Sequence, residues 1–189
     1  MSGAATRPIL VAGIGNVLMG DDALGPVVIA LLDAGWNVGP DVELLDAGTP
    51  GLDLAAYLAG RRAVVIVDAV TTNAPAGTLR VYSKSEILRH PAGLRGGPHA
   101  PAMHDTLVAL ELADQAPVEM ALVGVVPESV KTGTGLTAAM QDGARRAVLA
   151  VVERLREFGA HVAVRAVPAV PNLWWEEPGP PAAGPGAVR

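Results

Sequence analysis

The sequence contains no cysteine. That excludes disulfides, a thiol nucleophile and cysteine-based zinc sites. Aromatic residues make up only 3% of the chain, although half of it is hydrophobic. The core must therefore be built from Val, Leu, Ala and Ile, a mixture suited to a sheet covered by helices on both faces. Basic clusters are missing as well. Fourteen Lys and Arg stand against nineteen Asp and Glu, for a net charge of -5. Without clustered cations to displace counterions along phosphates, no nucleic-acid partner is expected. No run approaches the roughly 18 apolar residues of a membrane span. The opening Met1 to Pro8 is short and polar and lacks the apolar stretch of a signal peptide. These features lead us to expect a cytoplasmic protein with no membrane association. The length of 189 residues suits one domain.

Apolar runs alternate with helical periodicities along the chain. Ile9 to Ile14 reads as a buried strand ending in the tight Gly13-Ile14-Gly15-Asn16 loop. Leu24 to Ala34 reads as a helix that tolerates Pro26 in its first turn. A strand over Val42 to Leu45 and a short helix over Leu52 to Leu58 follow. Ala63 to Val67 is the most strand-like run and ends at Asp68. Thr78 to Tyr82 alternates as an outer strand does. His90 to Pro101, rich in Gly and Pro, reads as a long loop without regular structure. Met103, Leu107 and Leu110 share one helical face, and Ala121 to Val126 is another buried strand. Met140, Ala144, Val148, Val151, Leu155 and Phe158 mark the clearest helix, and His161 to Val167 a short edge strand. This order predicts an α/β fold with a mostly parallel, right-handed sheet over residues 1–167. Residues 168–189 form a Pro/Ala/Gly-rich tail that includes Trp174 and Trp175. These two indoles either cap apolar surface or dock a partner.

In parallel sheets, ligands bind beyond the carboxyl ends of the strands. Three groups fall there. Asp21 and Asp22 follow the Gly13 loop. Either they stabilise the start of the next helix, or one of them points into a cleft. Asp68 follows the most buried strand, and His99 sits in the Gly/Pro-rich stretch. Two carboxylates and an imidazole suit a borderline divalent metal such as nickel, zinc or cobalt. Their wide spacing carries no local metal signature. The Gly13–Gly20 segment matches a dinucleotide fingerprint only loosely, because its third glycine comes late and two carboxylates follow.

The words around these residues resemble the hydrogenase maturation protease family. Gly13-Ile14-Gly15-Asn16 with Gly20-Asp21-Asp22-Ala23-Leu24-Gly25 is similar to its opening signature. Leu45-Asp46-Ala47-Gly48-Thr49, Val67-Asp68-Ala69 and Pro98-His99 resemble its next three blocks. Leu122 to Ser129, followed by Gly135-Leu136-Thr137, resembles the last. The five blocks stand in family order over roughly residues 8 to 160. Ala100-Pro101-Ala102 departs from the Gln and Gly of many relatives, and the Trp-containing tail lies outside the resemblance.

The resemblance implies a twisted, mostly parallel five-stranded sheet with helices on both faces, of the phosphorylase/hydrolase-like kind. It implies an endopeptidase that trims the C-terminus of a [NiFe]-hydrogenase large-subunit precursor after nickel insertion. The nickel would belong to the substrate, and no organic cofactor is expected. Asp22, Asp68 and His99 take the positions of the family's nickel-sensing ligands, and Asp46 that of a substrate contact. Either nickel polarises the scissile carbonyl or acidifies a water, or Asp22 or Asp68 acts as general base. A monomer with the precursor as partner is expected. Two other classes remain: a nickel-sensing chaperone without hydrolysis, and a nucleotide-binding α/β enzyme.

Overall fold

The computed structural model describes residues 8–50, 54–89, 95–96 and 100–176. Strand β1 (Ile9–Ile14) is buried at every position. Successive strand side chains point to opposite faces, so a continuous apolar run needs a helical layer on each side. Ile9 and Val11 pack with α1 (Leu24–Gly35) and α5 (Ala138–Glu157). Leu10, Ala12 and Ile14 pack on the other face with α2 (Leu54–Leu58), α3 (Lys84–Arg89) and α4 (Ala100–Leu112). The result is a three-layer α/β/α sandwich.

Strands β3 (Val42–Gly48), β1, β4 (Ala63–Thr71) and β7 (Glu119–Val125) lie side by side in that order and run parallel. Strand β5 (Leu79–Ser83) closes one edge antiparallel to β7. The expected five-stranded, mostly parallel sheet is therefore present. Among the described residues no helix is long and apolar enough to cross a membrane.

The structure departs from the sequence reading at several places. The predicted loop 90–101 is not irregular throughout. Strand β6 (Arg95–Gly96) pairs antiparallel with Val70 and Thr71, because β4 runs on past Val67 and offers a free edge there. At the other end of the loop, α4 already begins at Ala100. Pro101 is compatible with this, since the N–H it lacks would have no partner in a first turn. Lastly, Ala163–Val164 (β8) does not extend the main sheet. It pairs with Trp36–Asn37 (β2) in a separate two-stranded ribbon.

One contact sets how β1 delivers the chain to the ligand end of the sheet. The first turn of α1 lies backbone to backbone on the end of β1. A Cβ at Gly25 would stand 2.2 Å from the Ile14 carbonyl oxygen, and one at Gly13 would stand 2.4 Å from the Gly25 oxygen. Backbone cannot yield as a flexible side chain does. Gly25→Ala is expected to force α1 off β1 at a cost of about 1–3 kcal/mol. Calorimetry should find Tm lowered by roughly 3–10 °C for a domain of this size. An unchanged Tm would show that the contact tolerates a side chain.

Candidate active site

The chain leaves β1 towards β3 on one side, while β4 continues towards β7 on the other. Connections that part in this way open a crevice beyond the carboxyl ends of the strands. Gly13 pairs with Val67, and β1 ends one residue later. Asp68 is the first β4 residue beyond that pairing and lies opposite Gly124 of β7. It therefore sits within a strand that runs on to Thr71, not at the strand end anticipated from the apolar run. The two-residue period puts it on the face of Val64, Ile66 and Val70, beneath the layer of α2, α3 and α4.

Asp22 comes to Asp68 from the 3-10 turn Gly20–Ala23, between β1 and α1. Both carboxylates are buried, at 5% and 1% exposure. Burial above all, and then the charge of Asp22, push the Asp68 carboxyl well above its ordinary value, against a smaller opposing pull from the Ala69 backbone. Asp68 Oδ1 is buried and has no hydrogen-bond partner among the described residues. Asp22 Oδ2 accepts the Asn16 N–H at 2.9 Å. A buried carboxyl with an orphaned oxygen beside a second carboxylate is short of positive charge. A divalent cation fits that deficit, and carboxylate oxygens are ordinary ligands for one. No three His, Asp or Glu side chains cluster as a metal site among the described residues. His99, the third predicted ligand, lies outside those residues. His104 stays out of the pair and meets its neighbour Asp105, with Nδ1 and Oδ1 3.1 Å apart.

Asp21, adjacent in sequence, does different work. Neither it nor Asp22 makes a side-chain cap at the 3-10 turn, and none is made at α1. Asp21 is fully buried and reaches the loop between β7 and α5. Its Oδ2 accepts from Glu128 N (2.8 Å), Ser129 N (3.0 Å) and Thr137 Oγ1 (3.0 Å), and its Oδ1 from Thr137 N (2.8 Å). Thr137 in turn caps α5 by accepting from Met140 N. Backbone bonds tighten the seam, with Asp21 N donating to Ser129 O and Gly20 N to Gly133 O. The turn that carries Asp22 is thus clamped to the opposite loop. Residues 116 apart in sequence make this link, and no local signal announces it.

The same seam answers the dinucleotide reading. A phosphate cradle needs unspent backbone N–H groups. Those of Gly15, Asn16, Leu18, Met19, Gly20, Asp21 and Asp22 all donate within the chain. Gly15 is closed in as well, since a Cβ there would lie 1.8 Å from the Asp22 carbonyl oxygen.

Asp46 does not join the carboxylate pair. It lies across β1, in register with Gly13, and is exposed. Strand periodicity puts it on the α1 face with Leu44, opposite to Asp68. Its Oδ1 accepts its own Gly48 N–H at 3.0 Å. With Gly15, Asn16, Val17 and Trp174 it lines an open cavity of about 200 Å³.

A family model described as hydrogenase maturation protease matches residues 26–154. That span includes Asp46, Asp68 and His99, and begins just after Asp22. The hydrogenase 2 maturation protease of Escherichia coli K12 is 35% identical over 164 residues, covering 85% of this chain and 95% of the relative. The hydrogenase expression/formation protein HoxM of Cupriavidus necator is 29% identical, covering 86% and 81%. Among solved structures, the hydrogenase maturating endopeptidase HybD from Escherichia coli superimposes with a TM-score of 0.77 at 33% identity, over 83% of this chain and 97% of that one. The [NiFe] hydrogenase maturation protease HybD from Thermococcus kodakarensis gives 0.63 at 26%, over 78% and 97%.

Two outcomes follow from the geometry. Between the ordinary carboxylate range and the raised value of Asp68, the folded chain keeps a proton that the unfolded chain has released. The group's contribution to stability is therefore full below the unfolded pKa and is lost as pH rises through the folded one. In chelator, the Tm of Asp68→Asn should gain on wild type as pH rises above the ordinary carboxylate range. A difference independent of pH would contradict the assignment. Separately, Asp21→Ala strips buried donors of their acceptor and should lose roughly 2–5 kcal/mol in urea unfolding. A loss no larger than that of a surface substitution would dismiss the clamp.

Proposed function

This chain belongs to the hydrogenase maturation protease family, and we propose that it removes the C-terminal extension of a [NiFe]-hydrogenase large-subunit precursor once nickel has been inserted. It is an endopeptidase by family and by fold. The observation behind the finer reading is the desolvated pair Asp22 and Asp68, with an orphaned oxygen on Asp68.

Nickel enters this scheme as part of the substrate. An empty precursor brings no cation and leaves two carboxylates facing each other in a dry site. A loaded precursor relieves that repulsion. Recognition is the difference in affinity between the two. A hundredfold preference needs roughly 2.7 kcal/mol, within reach of two or three coordinate bonds. In this reading Asp22 and Asp68 supply two of the ligands, and His99 the third.

The chain's own groups have separable tasks. Asp68 is fixed by its place within β4, and Asp22 by the Asp21 clamp. The raised Asp68 carboxyl can exchange a proton closer to neutral pH than an ordinary carboxylate, which general acid–base chemistry at a peptide bond requires. Nickel held there would supply polarisation of the scissile carbonyl or a more acidic water. The reading places the enzyme in the cytoplasm, working as a monomer on its precursor.

The test uses nickel-loaded precursor and single-turnover kinetics. Asp68→Asn and Asp22→Asn should slow extension removal by roughly 10²–10⁴-fold while both variants remain folded. Normal processing by either variant would remove that residue from the mechanism.

A further inference from the structure

Trp174 stands in a place that the Asp22–Asp68 pair does not account for. It is 62% exposed, yet the segment bearing it is fastened to the body. Arg165 N donates to Gly35 O and Ala169 N to Ala34 O, both at 2.9 Å. Trp175 is buried in the core on the α1 and α5 side. Trp174 meets it edge to face, with ring centroids 5.6 Å apart and planes at 87°. An exposed indole held on an anchored backbone offers a flat apolar surface at little entropic cost.

Two adjoining cavities share that indole. One is the cavity of about 200 Å³ that also holds Asn16 and Asp46. The other, of about 490 Å³, runs along α1 past Pro26, Ile29 and Leu44, and includes Asp33 and Asp46. Among the described residues no cationic side chain lines either one. Asp33 already faces Arg165 at 3.8 Å. Asp46, beside Trp174, is the carboxylate common to both. At the other end, Asn16 is the residue whose N–H holds Asp22. The groove is therefore continuous with the turn that carries Asp22.

We propose that Trp174 and Asp46 form a specificity subsite for an extended segment of the substrate polypeptide carrying an Arg or Lys side chain. The carboxylate takes the charge, the indole face covers the cationic head or its stem, and the apolar wall of α1 takes the flanking residues. The proposal rests on the protease reading for the identity of the polypeptide. Its surface chemistry can be tested without that reading.

The probe is a blocked hexapeptide of alanine and valine with one central arginine. It is titrated into the full chain labelled with ¹⁵N in its indole groups. Trp36, Trp174 and Trp175 give three signals, assigned with Trp174→Phe. The arginine peptide should shift the Trp174 signal saturably and leave Trp36 unmoved. Replacing arginine by norleucine should weaken binding about fivefold or more, and Asp46→Asn should remove most of that difference. An unmoved Trp174 signal, or equal shifts with a glutamate peptide, would overturn the subsite. In precursor processing, Trp174→Ala should raise KM about threefold or more with kcat changed less than twofold, and Trp174→Phe should restore most of the loss. Wild-type cleavage with an unchanged KM in Trp174→Ala would sink the subsite and leave the protease reading intact. Absence of wild-type cleavage would sink the protease reading, while the peptide titration would still decide the surface.

Discussion

Two carboxylates, Asp22 and Asp68, are buried side by side at the end of the sheet. Like charges in such a site are costly until a proton or a cation joins them. The Asp22–Asp68 pair is kept in this state by the fold. Asp68 is built into β4, where it is buried and pairs with Gly124 of β7. Asp22 rides on a turn pressed down by the α1–β1 backbone contact and clamped by Asp21 to the Glu128–Thr137 loop. A softer framework would let the pair separate and lose its demand for positive charge.

The same arrangement divides the labour between the faces of the sheet. Asp68 looks towards the layer of α2, α3 and α4, while Asp46 opens on the α1 face. The β1–α1 turn touches both, with Asn16 beside Asp46 and Asp22 beside Asp68. A polypeptide lying along α1 could thus be gripped by the groove while its metal-bearing portion meets the carboxylate pair. On the proposed reading, binding and inspection would use different residues. The tail fits this division. Trp175 belongs to the core, as the capping reading expects, and Trp174 lines the groove.

Much of this was legible in the sequence because it depends on short-range patterns. The doubly apolar runs of β1 and β4 required two covering layers, and the heptad-like apolar stripe of α5 appears as read. Asp22 and Asp68 were found by their place after strands and by block resemblance. From the residues alone the roles of Asp21 and Asp22 could not be told apart, and only the block resemblance singled out Asp22. Adjacent carboxylates look alike in a string, and what separates them is a loop more than a hundred residues away. The two-residue strands β2, β6 and β8 were missed or misplaced for the same reason. Their pairing comes from tertiary context and has no period of its own.

The central claim is that the carboxylate pair waits for positive charge and receives it from the substrate. Intact-mass measurement of nickel-loaded and nickel-free precursor, each incubated with the wild-type enzyme, tests it most directly. The account predicts that the loaded precursor loses its C-terminal extension while the empty one keeps it. Equal shortening of both would contradict it.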